Sequence, residues 1–149
     1  MDILNLIKKE RQTIKELFSA IEATNQTEKL YEYFNKIYEE LITYLQAEES
    51  TLYKSVGKHK ENEELIKTAA AEHVEAISLL EEIEFFSPTS SQFKDKLQQL
   101  KKLVQQHWEK EDNLIFVQAQ RLINRQEKEE LGNKFVSIKN KLQQELLTG

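Results

Sequence analysis

Apolar residues recur at helical spacing along almost the whole chain. Ile3, Ile7, Ile14, Phe18 and Ile21 share one face and predict a helix over about 2–24, with Asn25 to Thr27 as the polar break after it. A second stripe, Leu30, Phe34, Ile37, Leu41, Leu45 and Leu52, predicts a helix over about 28–56, and the Gly57 that follows suits a left-handed closing turn. Asn62 is placed to cap a third helix over about 63–85, carried by Ile66, Ala69, Ile77, Leu80 and Ile83 and stopped by Ser87-Pro88-Thr89-Ser90-Ser91. Phe93, Leu97, Leu100, Val104 and Leu114 mark a fourth helix to about Leu122. Leu131, Phe135, Ile138, Leu142 and Leu146 mark a shorter fifth, about 126–147.

Composition turns these segments into an architecture. At 149 residues with 39% hydrophobic positions, the chain has material for one core and one domain, 1–149. Three glycines and one proline are too few for the tight turns of a sheet protein. The expected fold is all-α: an up-down-up-down four-helix bundle over about 2–124, with the C-terminal helix lying across one end.

The absence of cysteine excludes disulfides, zinc ribbons, iron–sulfur clusters and thiol nucleophiles, so any metal must use His, Asp, Glu or Tyr. Lys8, Lys9, Glu10 and Arg11 follow the first residues without an apolar run, which predicts neither a signal peptide nor a membrane span and sets a cytoplasmic address as the expectation. A net charge of -5, with lysines interleaved among glutamates, argues against nucleic acid or a membrane as partner.

The informative positions are those that interrupt the stripes. Arg11 falls on the buried face of helix 1, Tyr44 and Glu48 on that of helix 2, His73 on that of helix 3, and His107 with Glu111 on that of helix 4. In an antiparallel bundle these heights coincide, giving one polar layer. An unpartnered buried polar group costs on the order of 2–7 kcal/mol, so the groups must satisfy one another or bind something.

The two halves echo each other. Glu10-Arg11 repeats as Glu72-His73 at an offset of 62 residues, and Tyr44-xxx-Glu48 as His107-xxx-Glu111 at 63. The echo extends from Glu48-Glu49 with Tyr53 to Glu111-Asp112 with Phe116, an acidic pair followed by an aromatic. A repeated helix pair places two half-sites about the bundle axis. The i,i+4 spacing of His107 and Glu111 offers two ligands from one face, and N and O donors suit iron, manganese or zinc.

At these residues the sequence resembles the hemerythrin-like, or HHE cation-binding, family. The resemblance covers about 2–124 and rests on the segment from Ile7 through Glu10-Arg11 to Phe18, on Tyr44-Leu-Gln-Ala-Glu48-Glu49, on Glu72-His73, and on His107-Trp-Glu-Lys-Glu111-Asp112 with Ile115-Phe116. It implies a four-helix bundle holding non-haem iron, with roles in oxygen binding, iron handling, or sensing of oxygen, redox state or nitric oxide. Carried over by position, it makes Glu48, His73, His107 and Glu111 metal ligands. Arg11 and Tyr44 stand where the family has histidines, both in one half-site, so the resemblance implies a reduced site of one ion rather than two.

Arginine stays protonated and cannot ligate, but its guanidinium could bridge Glu48 and Glu111 in place of a missing cation. Tyr44 could be a phenolate ligand to ferric iron or, without metal, a hydrogen-bond donor to a carboxylate. His59 reads as solvated, Trp108 as flank packing turned away from His107, and Glu49 and Asp112 as supporting or solvent-facing groups.

Two functional readings follow. In the first, one iron ion, with manganese or zinc as substitutes, is held by Glu48, His73, His107, Glu111 and in one variant Tyr44, and meets a small diatomic ligand or peroxide in sensing or iron handling. In the second, no metal binds, Arg11, Glu48 and Glu111 form a polar core, and the bundle works as a scaffold for a protein partner. An enzyme oxidising through a metal-bound Tyr44 is a weaker third.

Overall fold

The computed structural model describes residues 1–148, and all the regular structure among them is helical. α1 spans Ile3–Glu22. Asp2 starts it by accepting the Asn5 amide at 2.9 Å, and Ile3, Ile7, Ile14, Phe18 and Ile21 are all buried, so the sequence stripe is the observed core face. α2 spans Thr27–Glu48, but the rod does not continue as an α-helix. Glu49–Tyr53 is a π-helical turn, after which α3, Lys54–Gly57, completes the rod.

A 3₁₀ turn at Lys60–Asn62 leads to α4, Glu63–Ile83. Asn62 sits at the expected cap position without capping: its Nδ2 reaches back to the Val56 carbonyl instead. Gly57 adopts no left-handed conformation, because the chain turns through His59 in extended geometry; an added Cβ would only touch Ile66 at 3.4 Å.

α5, Ser91–Asn113, has a cap that the stripe did not flag, Ser90 Oγ accepting the Phe93 amide at 3.2 Å. The fourth rod then breaks at Leu114 and resumes as α6, Ile115–Leu122. Leu114, expected in the core stripe, is the break residue and is half exposed.

The rods alternate in direction. Glu82 pairs with Lys96 and Glu72 with Lys110, so α4 and α5 are antiparallel; Glu22 pairs with Lys101 and Arg11 with Glu111, so α1 and α5 are too. These pairings close an up-down-up-down ring around a core that includes Ile7, Ile37, Leu41, Leu52, Leu80 and Leu100.

α7, Arg125–Thr148, has close to the expected bounds but departs from expectation in place. It lies along the groove between α1 and α2 rather than across an end. Glu127 meets Ser55, Phe135 meets Tyr44, and Lys139 donates to both Glu10 and Glu40, so α7 runs antiparallel to α2 and parallel to α1. Gly132 makes this approach feasible: a Cβ there would stand 2.1 Å from the Met1 carbonyl oxygen. Leu146, placed in the fifth stripe, is exposed beyond this contact. No helix among the described residues is long and apolar enough to cross a membrane.

Candidate metal centre

The polar layer expected from the stripes forms. Arg11, Tyr44, Glu48, His73, His107 and Glu111 are all buried, none more than 6% exposed, and meet at mid-height of the bundle. The i,i+4 register of α5 puts His107 Nε2 3.3 Å from Glu111 Oε2, and His73 comes in from α4 with Nε2 3.1 Å from that of His107. Glu48 Oε1 from α2 lies 3.3 Å from His73 Nε2. One donor atom from each of these four residues falls within 4.8 Å of the others.

Arg11 does not bridge Glu48 and Glu111 as expected. Its Nη2 donates to Glu111, its Nη1 to Asp112 at 2.6 Å, and its Nε to Tyr44 Oη at 3.3 Å; Tyr44 passes the chain on by donating to Glu48 Oε2 at 3.1 Å. The reason is reach: Asp112 follows Glu111 on α5 and offers the guanidinium a second carboxylate, while Tyr44 fills the space before Glu48. Trp108 packs on the flank of the layer, against this arginine. Its ring lies 5.4 Å from the Arg11 guanidinium and edge-on to Tyr44, and the ring of Phe116, which follows the break at Leu114, lies 4.8 Å from the same guanidinium.

Tyr53 was not anticipated as a site residue. Its Oη lies 3.1 Å from both His73 Nε2 and His107 Nε2 and donates to Glu111 Oε2, while its ring stacks on His73 at 4.9 Å. In an α-helix five residues turn about 500°, which would aim Tyr53 about 140° away from Glu48. The π turn pairs i with i+5 and brings Tyr53 round to the Glu48 side. The echo of Tyr53 with Phe116 was the available signal: each follows its glutamate by five residues, and each lies in or just after a helix irregularity.

Glu72 is the other residue whose role was missed. Its Oε1 lies 2.8 Å from His107 Nδ1 and its Oε2 accepts from Lys110 at 2.9 Å. A carboxylate there holds the proton on Nδ1 and leaves the Nε2 lone pair directed into the layer. His73 lacks that support: Nδ1 has no aligned partner, with the Glu49 carboxylate 3.5 Å away. His59 is exposed, as expected.

The electrostatics divide the carboxylates. Burial would raise Glu111, but its contacts with His107 and Glu48 and the charge of Arg11 outweigh it and hold the carboxyl at about 2. Burial and the charge of Glu111 push Glu48 up to about 7. Burial opposes charging His73, yet Glu48 and Glu49 lift it to about 9; His107 is raised against burial by Glu111. Burial and the charges of Glu48 and Glu111 carry the Tyr44 and Tyr53 phenols upward, so neither is an anion in the metal-free protein.

The donors suit a cation. Two imidazole nitrogens bound about 2.1 Å from one ion at right angles would be about 3.0 Å apart, close to the 3.1 Å between the Nε2 atoms. Glu48 Oε1 is buried without an aligned hydrogen-bond donor, having only the 3.3 Å ion-pair contact with His73 Nε2, the kind of under-satisfied atom an ion completes. A small cavity of about 40 Å³, lined by Ala69, Glu72, His107, Glu111, Leu114 and Ile115, adjoins the layer.

The fold superposes on the crystal structure of a hemerythrin HHE cation-binding domain-containing protein from Mycobacterium kansasii, with a TM-score of 0.86 at 21% identity, covering 99% of this chain and 91% of that one. A curated relative, a DNA nickase of Nostoc sp., is 30% identical over 149 residues; the match takes in 98% of this chain but only 41% of that protein's length. Residues 2–119, which contain all four converging ligand candidates, match the hemerythrin HHE cation-binding domain. The chain therefore belongs to the hemerythrin HHE cation-binding family.

Proposed function

We propose that the domain binds a single cation, iron first, through Glu48, His73, His107 and Glu111. The observation that carries this reading is the convergence of two imidazole Nε2 atoms and two carboxylates within 4.8 Å, with Glu48 Oε1 lacking any other partner. Arg11 supports one ion rather than two, since its fixed charge occupies Glu111 and Asp112 on the side where a second cation would be repelled. Glu72 orients His107, Tyr44 and Arg11 hold the two glutamates in register, and the surrounding apolar core keeps bulk water out.

Bound iron with an open coordination position would supply affinity for a diatomic ligand or peroxide. The burial of the donors suits a ligand of that size: none of the four residues is more than 6% exposed, and a pocket of about 40 Å³ lies beside His107 and Glu111. Sensing of oxygen, redox state or nitric oxide, or iron handling, is thus the role favoured over turnover of a larger molecule. Strand nicking, named for the Nostoc relative, is not favoured, because a phosphodiester cannot reach donors buried to this degree.

A second reading has one observation in its favour. Without metal the layer is already cross-bonded, Arg11 to Glu111 and Tyr53 to Glu111, as a purely structural polar core with a protein partner would require. Iron content of untagged protein after anaerobic ferrous reconstitution separates the two. About one iron per chain supports the reduced site, about two would make the centre dinuclear, and none would leave the scaffold.

A further inference from the structure

Resting on the single-cation reading, we infer that Tyr53 is a fifth protein ligand, binding ferric iron as a phenolate through Oη. Three donors, Tyr53 Oη, His73 Nε2 and His107 Nε2, are each 3.1 Å from the other two. That triangle has the spacing of three mutually adjacent ligands on one ion, for which donors at about 2.1 Å stand about 3.0 Å apart. Glu111, the residue Tyr53 donates to, is itself one of the four converging groups, so the phenol oxygen touches three of them.

The backbone is bent to bring it there. A regular α-helix would point Tyr53 elsewhere, and π turns inside α-helices are frequent at functional sites. Once aimed, the ring is held: it is 1% exposed and stacked on His73 at an interplanar angle of 24°. An ion entering among the four ligands therefore finds the phenol oxygen fixed beside it. On binding, the O–H bond breaks, its electron pair is donated to the ion, and the proton leaves to solvent. No electron changes hands when iron is supplied in the ferric state.

Tyr44, the tyrosine that stands where the resemblance expects a histidine ligand, is differently placed. Its hydroxyl is committed between Arg11 Nε and Glu48 Oε2, so it serves as a relay between those two groups.

The test is the visible spectrum of the full chain loaded with ferric citrate, with iron content measured on the same sample. A phenolate-to-iron charge-transfer band with phenolate modes in resonance Raman is expected in the wild type and in Tyr44→Phe. In Tyr53→Phe the band should vanish, with about one iron retained and ferric affinity lowered about tenfold or more. A colourless wild type holding one iron overturns the inference and leaves the single-cation reading standing; a chain that takes up no iron overturns both. A band that survives Tyr53→Phe and is lost in Tyr44→Phe also overturns it. Should Tyr53→Phe fail to fold, the wild-type and Tyr44→Phe spectra still decide.

Discussion

Glu72 stands next to His73 in α4, yet the histidine it hydrogen-bonds is His107 on α5, at 2.8 Å from Nδ1. α4 thus supplies one candidate ligand and the support for another. Replacing Glu72 with Ala removes that support while leaving all four converging donors. Cation affinity, read by competition with a chelator, should fall roughly 10- to 100-fold, with the far-UV circular dichroism unchanged. An unchanged affinity would mean that His107 needs no such partner.

Arg11 neutralises Glu111 in the bundle interior, so Arg11→Met should leave an uncompensated buried carboxylate. Breaking such a pair costs about 3–5 kcal/mol, which in a chain of this size is a fall in Tm of roughly 6–20 °C for the metal-free protein. Saturating iron should restore part of the loss, because the ion supplies the missing positive charge. Thermal melts with and without iron check both halves of this expectation.

The pH dependence of the metal-free protein follows from three groups. Glu111, held at about 2, contributes stability that is present above its unfolded value of about 4.3 and is lost as pH falls through 2. Glu48, raised to about 7, keeps a proton in the fold that the unfolded chain has lost, so stability declines as pH rises from about 4.3 towards 7. His73, raised to about 9, contributes stability that is full below about 6.5 and is lost as pH rises through 9. The Tm should peak near pH 5 and be lower at pH 9. Iron displaces these protons, so its stabilisation should grow over the same range; a flat profile would contradict the network.

The two interior glycines predict opposite outcomes. Gly132→Ala gains up to about 1 kcal/mol of helix propensity, but its Cβ meets the Met1 carbonyl oxygen at 2.1 Å and must push α7 off the start of α1. A net loss of about 1–3 kcal/mol is expected. Gly57→Ala meets only Ile66 at 3.4 Å and should be neutral within about 0.5 kcal/mol. Urea titrations of the two variants make the comparison.

The four rods and the polar layer were legible because one cause produces both. Burial imposes a period on apolar residues, and Arg11, Glu48, His73, His107 and Glu111 stood out by breaking it. What escaped was whatever breaks the period itself. Tyr53 lies off the α-helical stripe and reaches the site only through the π turn, a backbone choice that composition does not encode. The partners of Arg11 depended on side-chain reach, since Asp112 and Glu48 are both plausible from spacing and only one is near. The placement of α7 was misjudged because its apolar stripe is short, while its attachment runs through Lys139 and Gly132, a buried lysine and a glycine that read as surface and punctuation.

The guanidinium of Arg11 has a further consequence for the life of the domain. A metal ion can be chelated, exchanged or starved for; a side chain cannot. With Arg11 covalently part of the layer and already bonded to Glu111, Asp112 and Tyr44, one of its positive charges is independent of metal supply. On the single-cation reading, the bundle is therefore built to persist empty and to fill or discharge an ion without refolding. Stripping with a chelator should leave the helical content intact, so gain and loss of the ion can be a reversible event on a standing scaffold.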